Sequence, residues 1–194
     1  MGKNLLMDKE ANVLQISLLV HCKGASNMGE VSISKQKTSH YKDTINWLNN
    51  KQIQQSFGIT KEVNLEDHIN WLSEHPNIEV LSILYNDLHV GNIVLDFNVI
   101  HESVFLQIYI GDSQCRGKGI GVTAMKLALN YIFVEKQMHR VHLKVFEDNL
   151  PAINLYVKLG FIKEGIERDS HKMNGVFRNQ ILYSMLCREW KAES

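Results

Sequence analysis

The segment SQCRGKGIGVTAMKLALNYI, residues 113–132, constrains the fold more than any other stretch of the chain. Three glycines, Gly117, Gly119 and Gly121, fall within five positions, and apolar residues at helical spacing follow at once. Glycine is the poorest helix former after proline, so three at a helix mouth need a reason. A helix start leaves several N–H groups without intrahelical partners, and the macrodipole makes that end positive. Residues without a Cβ let an anion reach those N–H groups, and phosphate is the usual guest. Arg116 and Lys118 add positive charge. The stretch is not a P-loop, because no Lys-Ser/Thr pair follows the glycines. It is not a dinucleotide fingerprint either, because Val122 stands where the third required glycine belongs.

The surrounding pattern alternates in type. VSISK from Val31 reads as a strand, and SHYKDTINWLNNKQIQQSF as one helix with apolar positions at Tyr41, Ile45, Trp47 and Leu48. NLEDHINWLSEHP reads as a second helix, capped by Asn64 and stopped by Pro76. IEVLSILY, LHVGNIVLDF and SVFLQIYIG read as strands, the first two joined through an Asn86-Asp87 hairpin turn. The glycine stretch opens a helix to about Lys136, and RVHLKVF is a further strand. LPAINLYVKLG is a short helix with Pro151 in its first turn and Gly160 at its end. FIKEGIERD and RNQILYSMLCREW are the last strands, with Asn174-Gly175 in their connection. This order predicts an α+β fold: a mixed, largely antiparallel sheet of six to seven strands flanked by helices. Residues 1–30 read as an extension, with NVLQISLLVHCK as a strand and GASNMG as a linker. Residues 31–194 read as the domain proper. Added to a sheet edge of a neighbouring chain, the extension would give a homodimer.

A length of 194 residues suits one domain with a full core. Formal net charge is zero, so no global field draws the chain to nucleic acid or an anionic membrane. The apolar run VLQISLLV is too short to span a bilayer. Cys22, Cys115 and Cys187 show neither CxxC nor metal-ligand spacing, which predicts a reducing cytoplasm and no metal.

Two blocks carry a resemblance. Gln114-x-x-Gly117-x-Gly119 resembles the Q/R-x-x-G-x-G/A signature of the GNAT family of N-acetyltransferases. FEDNLPAINLYVKLGF resembles that family's N-x-x-A-x-x-L-Y-x-x-x-G-F block, matching at Asn149, Ala152, Leu155, Tyr156, Gly160 and Phe161. The closing EGIERDSHKMNGVFRNQILYSML is similar to the branch of ribosomal-protein and spermidine acetyltransferases.

The resemblance implies acetyl-CoA as cosubstrate, its pyrophosphate held by Arg116, Gly117, Lys118, Gly119, Ile120 and Gly121. A backbone N–H within Ile108, Tyr109 and Ile110 would receive the developing thioester oxyanion. Tyr156 would protonate the leaving thiolate; its competing reading is a ring buried in the core. Asn149 would cap its helix and contact the pantetheine arm. The amine must lose a proton to attack, so it needs a base or a water path to one. Many relatives near this branch carry Glu where this chain has Phe105. Glu102 is the carboxylate nearest in sequence; it or His101 beside it could serve as the base, Asp96 and His89 are further candidates, and a base reached through water is an equal alternative. For the acceptor, YKDTINWLNN through LEDHINWLSEHPN is similar to amino-sugar nucleotide acetyltransferases of the pseudaminic-acid pathway. A protein N-terminal amine competes, and a polyamine follows. A non-catalytic acyl-CoA-binding module is the alternative of another class.

Overall fold

The computed structural model describes residues 29–191. The extension expected over residues 1–30 lies outside them except for its last two residues. Seven strands form one sheet: β1 (Val31–Lys35), β2 (Ile78–Tyr85), β3 (Leu88–Asn98), β4 (Ser103–Ile110), β5 (Arg140–Phe146), β6 (Ile162–Met173) and β7 (Val176–Leu186). Their spatial order is β1-β2-β3-β4-β5-β7-β6. Every neighbouring pair is antiparallel except β4 and β5. A parallel pair needs a crossover, and α4 (Ile120–Asn130) supplies it. The largely antiparallel α+β sheet is thus as the pattern predicts.

Local chemistry explains most boundaries. Asn86 and Asp87 sit at φ of 50° and 62°. Such left-handed pairs form the tight hairpin turns that match strand twist. Asn64 caps α3 (Leu65–Glu74) by accepting from the Asp67 N–H at 2.9 Å. Asn149 caps α5 (Leu150–Lys158) by accepting from the Ala152 N–H at 3.4 Å. The helix expected across SHYKDTINWLNNKQIQQSF is instead two, α1 (Tyr41–Leu48) and α2 (Lys51–Phe57). Asn50 turns extended and caps α2, accepting from the Gln52 N–H. Asn49 exchanges two hydrogen bonds, of 2.7 and 2.8 Å, with the Val63 backbone. Both asparagines offer the backbone alternatives to a continuous helix. The last hairpin also differs: β6 runs on to Met173, and the end of the predicted final strand is a 3-10 turn, Cys187–Glu189. Apart from buried Met173 and half-buried His171 the β6–β7 tip is largely exposed, so no hydrophobic alternation marks it.

The two faces of the sheet have different covers. One face buries Ile83, Ile93, Leu95, Leu106, Leu143 and Met185 against α4, whose Ile120, Ala124, Met125, Leu127, Ala128 and Leu129 are all buried. Tyr156 and Phe161, at α5, join the same core. The opposite face carries Asn92, Asp96, Phe105, Tyr109 and His142, and α1 lies over its upper end. After Asn130 the α4 coil widens into a π turn, Tyr131–Glu135. This brings the Tyr131 hydroxyl to donate to Glu79 at 2.5 Å, beside the Lys136–Glu79 ion pair at 2.8 Å.

Candidate active site

β4 and β5 are in register only at Ser103–Arg140, Val104–Val141 and Phe105–His142. Beyond Phe105 the strands part, and a gap opens in the middle of the sheet. The Gly111 N–H bonds to the Val90 carbonyl at 2.8 Å, which sets the phase of the β3–β4 ladder. Backbone groups alternate sides along a strand. The Tyr109 amide therefore faces its register partner Asn92, while the amides of Ile108 and Ile110 face the gap. Of the three residues expected to offer an N–H, Tyr109 has its backbone committed to the ladder, while Ile108 and Ile110 turn theirs toward the gap.

At the open end of the gap stands the glycine loop. Gly117 and Gly119 hold φ of +74° and +78°, and Gly119 is the N-cap of α4. That region is strained for residues with a Cβ, which answers why glycine occurs here. A Cβ at Gly117 would meet nothing within 4 Å, so this side of the loop is open. The N–H groups of residues 117–121 have no acceptor among the described residues, while the Gly119 carbonyl already accepts from Val122 and Thr123. Five such donors in sequence at a positive helix end could hold an anion the size of a pyrophosphate. Lys118 is exposed beside it. Arg116 serves differently from expectation. Its Nε donates to the Ile110 carbonyl at 2.9 Å, its Nη2 to the Gly111 carbonyl at 3.3 Å, and its Nη1 to the Gln52 side chain. The guanidinium ties the loop to the end of β4 and to α2, so it shapes the cradle and lends its charge from behind. Cys115 is buried, with burial and the neighbouring Asp112 carboxylate raising its thiol pKa, so it is an unreactive structural thiol.

α5 flanks the gap from the other side. A Cβ at Gly121 would come to 4.0 Å from Leu155 Cδ2, which sets the start of α4 against α5. Tyr156, next along, is buried; its ring packs against Phe161 and Tyr183 at centroid distances of 5.8 and 6.2 Å. Its hydroxyl makes no hydrogen bond among the described residues, and burial alone pushes its pKa far above the phenol range. A phenol so placed stays protonated and retains an uncommitted proton.

On the face covered by α1, buried Asn92 donates to Thr44 Oγ1 at 2.9 Å and to the Tyr109 hydroxyl at 2.7 Å. The His89 ring bonds to Asn92 Oδ1 at 2.9 Å and stacks on His40 with centroids 4.3 Å apart. Trp47 closes over His89 at 4.8 Å. Burial lowers the pKa of both histidines and raises Tyr109 to about 12. His89 is thus enclosed within a structural polar network. Lower on the same face a cavity of about 570 Å³ is lined by Asn77, Asp96, Asn98, Ser103, Phe105 and His142 among others. Sequence reasoning passed over His142; only its place opposite Phe105, which the register reveals, singles it out. Arg178, also passed over, spans the upper gap. Its Nη1 donates to the Gln55 carbonyl at 2.8 Å, its Nη2 pairs with Asp148, and its guanidinium lies 3.8 Å from the Phe146 ring centroid.

Glu102 does not join these residues. It occupies the exposed β3–β4 turn at φ of 47°, and its carbonyl accepts from the His139 and Arg140 N–H groups. Six residues of strand, about 20 Å at 3.3 Å each, separate it from Ile108. The expected base is therefore corrected: the carboxylate nearest in sequence lies at the wrong end of β4. Asp96, by contrast, pairs with Phe105 across the ladder and lines the cavity.

A mixed sheet parted between its parallel strands, with a glycine-rich helix start at the parting, has the dimensions and charge to take an extended phosphate-bearing ligand. The sequence profile described as the acetyltransferase (GNAT) family matches residues 44–161, and the chain belongs to that family. Spermidine N(1)-acetyltransferase of Escherichia coli K12 is 33% identical over 100 residues, covering 52% of this chain and 53% of that protein. The ribosomal protein uS5-alanine N-acetyltransferase of the same organism is 27% identical over 100 residues, covering 50% and 52%. The chain spans about half the length of the relatives it matches in sequence. In fold, a crystal structure of Vibrio cholerae spermidine N-acetyltransferase in complex with CoA and spermine superposes with a TM-score of 0.77. That likeness covers 82% of this chain and 96% of the other at 22% identity. Among the described residues no helix is long and apolar enough to cross a membrane.

Proposed function

We propose that the chain moves the acetyl group of acetyl-CoA to a primary amine by direct attack. The observation that carries this reading is the parting of β4 from β5 toward five unpaired amides at residues 117–121. The cradle fits a pyrophosphate, and the gap beside Ile108 and Ile110 fits a narrow pantetheine arm lying along a strand edge. In this reading the amide of Ile108 or Ile110 donates to the carbonyl oxygen as charge develops there. In this reading Asn149, besides capping α5, would contact that arm. Tyr156 supplies a proton to the departing sulfur; burial keeps its phenol protonated until the thiolate leaves. Residues 31–194 constitute the catalytic unit.

For the acceptor, the relatives that match in sequence favour a small polyamine, with a protein N-terminal amine second. The amino-sugar nucleotide reading rests on the α1–α3 segment alone and forms the competing arm of the test. That test is transfer from labelled acetyl-CoA to spermidine, spermine, peptides with free N-termini and 4-amino-sugar nucleotides, with CoA release followed in parallel. Stoichiometric release with one of these amines is expected. Tight CoA binding without transfer to any of them would favour a non-catalytic acyl-CoA-binding module.

A further inference from the structure

The register brings one unassigned side chain to the point where the sheet opens. His142 is the cross-strand partner of Phe105, in the last pair before β4 and β5 separate. Phe105 leaves the near end of the gap without a carboxylate on β4, and its ring lies 5.4 Å from the imidazole. Both side chains line the cavity of about 570 Å³ below the gap. The Nδ1 atom of His142 is shut off from solvent without a hydrogen-bond partner among the described residues, which leaves Nε2 as the ring nitrogen open to the cavity. Phe105 precedes Ile108 by three residues, about 10 Å of strand. A group there reaches the amine of an acceptor lying in the cavity directly or through one or two waters.

We infer that His142 is the general base of the acetyl transfer, and that the cavity it lines with Asp96 and Phe105 receives the acceptor as a small ammonium ion. This rests on the transfer activity proposed above. Asp96 offers the attracting charge, and the Phe105 ring a face for a cation. The ammonium R–NH3+ gives one proton to Nε2, leaving an imidazolium that passes it to water. The resulting amine attacks the thioester carbon, so a C–N bond forms and the C–S bond breaks. The second nitrogen proton is lost to water as the amide forms, the sulfur gains one from Tyr156, and the phenolate regains a proton from water. The products are the N-acetyl amine, free CoA and one proton.

The charged surroundings permit the role. Arg140 and Lys144 flank His142 on β5, Glu164 faces it from β6, and Asp96 lies across the cavity on β3. Burial and then Arg140 lower the His142 pKa, while Glu164 partly opposes them. The ring is therefore neutral at pH 7 and able to accept a proton.

The test compares the full-length wild type, His142→Gln, and His142→Gln combined with Phe105→Glu. The wild type should show an acidic limb in kcat/KM below pH 6.5, the ordinary histidine value. His142→Gln should lose that limb and about 10²–10⁴-fold in turnover while CoA affinity by calorimetry stays unchanged. The carboxylate that Phe105→Glu adds to β4 in the double variant should restore part of the rate with a limb of its own. Independently, the His142 ring signals in NMR should titrate below pH 6.5 and shift when spermidine is added. Full turnover with an unaltered acidic limb in folded His142→Gln would overturn His142 and leave the acetyltransferase reading intact. Wild type that binds CoA and acetylates no amine would instead remove the activity itself, and the base with it.

Discussion

Gly117 and Gly119 hold backbone angles that cost an L-residue about 1–2 kcal/mol each. Gly119→Val should therefore lower stability by that amount in thermal unfolding. Its branched side chain at the helix mouth should also weaken CoA binding by calorimetry far more than this strain accounts for. Equal CoA affinity in the folded variant would exclude the loop as the phosphate cradle. Tyr156→Phe keeps the ring among Phe161 and Tyr183 and removes only an oxygen that bonds to nothing among the described residues. CoA affinity and unfolding temperature should hardly move, while turnover falls by roughly 10²–10⁴-fold if the phenol is the acid. Unchanged turnover would make Tyr156 a packing residue alone.

Elements whose ends are set by one local side chain were legible from sequence. Asn64, Asn149, the Asn86-Asp87 pair and Gly160 each act within a turn of their own position, so composition and spacing suffice. Asn64→Ala should cost about 0.5–2 kcal/mol, read from denaturant unfolding, with CoA binding intact. The break between α1 and α2 was not legible, because Asn49 is held by Val63, fourteen residues away. Helical spacing at Tyr41, Ile45 and Leu48 gives no warning of it. The glycine cradle and the α5 block could be read because their residues are contiguous. The proposed base could not, for His142 gains its place only from a parallel pairing across β4 and β5, thirty-seven residues from Phe105. Glu102 misled for the converse reason: nearness in sequence to β4 put it at the far end of that strand. The ladder phase that commits Tyr109 to Asn92 likewise exists only once β3 and β4 are paired.

At the scale of the whole molecule, the lower sheet is joined by a bidentate pair, Arg140 to Glu164 at 2.7 and 2.6 Å, with Ser184 donating to the same carboxylate at 2.7 Å. Arg140 first, then Ser184, hold the Glu164 pKa down to about 2 from 4.5. A carboxyl depressed on folding stabilises fully above its unfolded pKa and loses that contribution as pH falls through its folded one. The stability gap between wild type and Glu164→Gln should thus be full above pH 4.5 and close by about pH 2. A gap constant across that range in pH-resolved unfolding would assign it to packing. Deleting residues 1–28 should leave CoA affinity and turnover per site unchanged, because the sheet edge β1 begins at Val31; sedimentation of the two forms would report any change in assembly. The parting of the sheet has one more consequence, for isotope exchange. Amides at the centre of a sheet are ordinarily the last to trade hydrogen for deuterium, since only global opening frees them. Ile108 and Ile110 occupy that central position yet face a gap, so they should exchange orders of magnitude faster than Tyr109 between them. A fast-slow-fast alternation along three consecutive residues should flatten into uniform protection when CoA fills the gap, making those two amides a built-in reporter of occupancy.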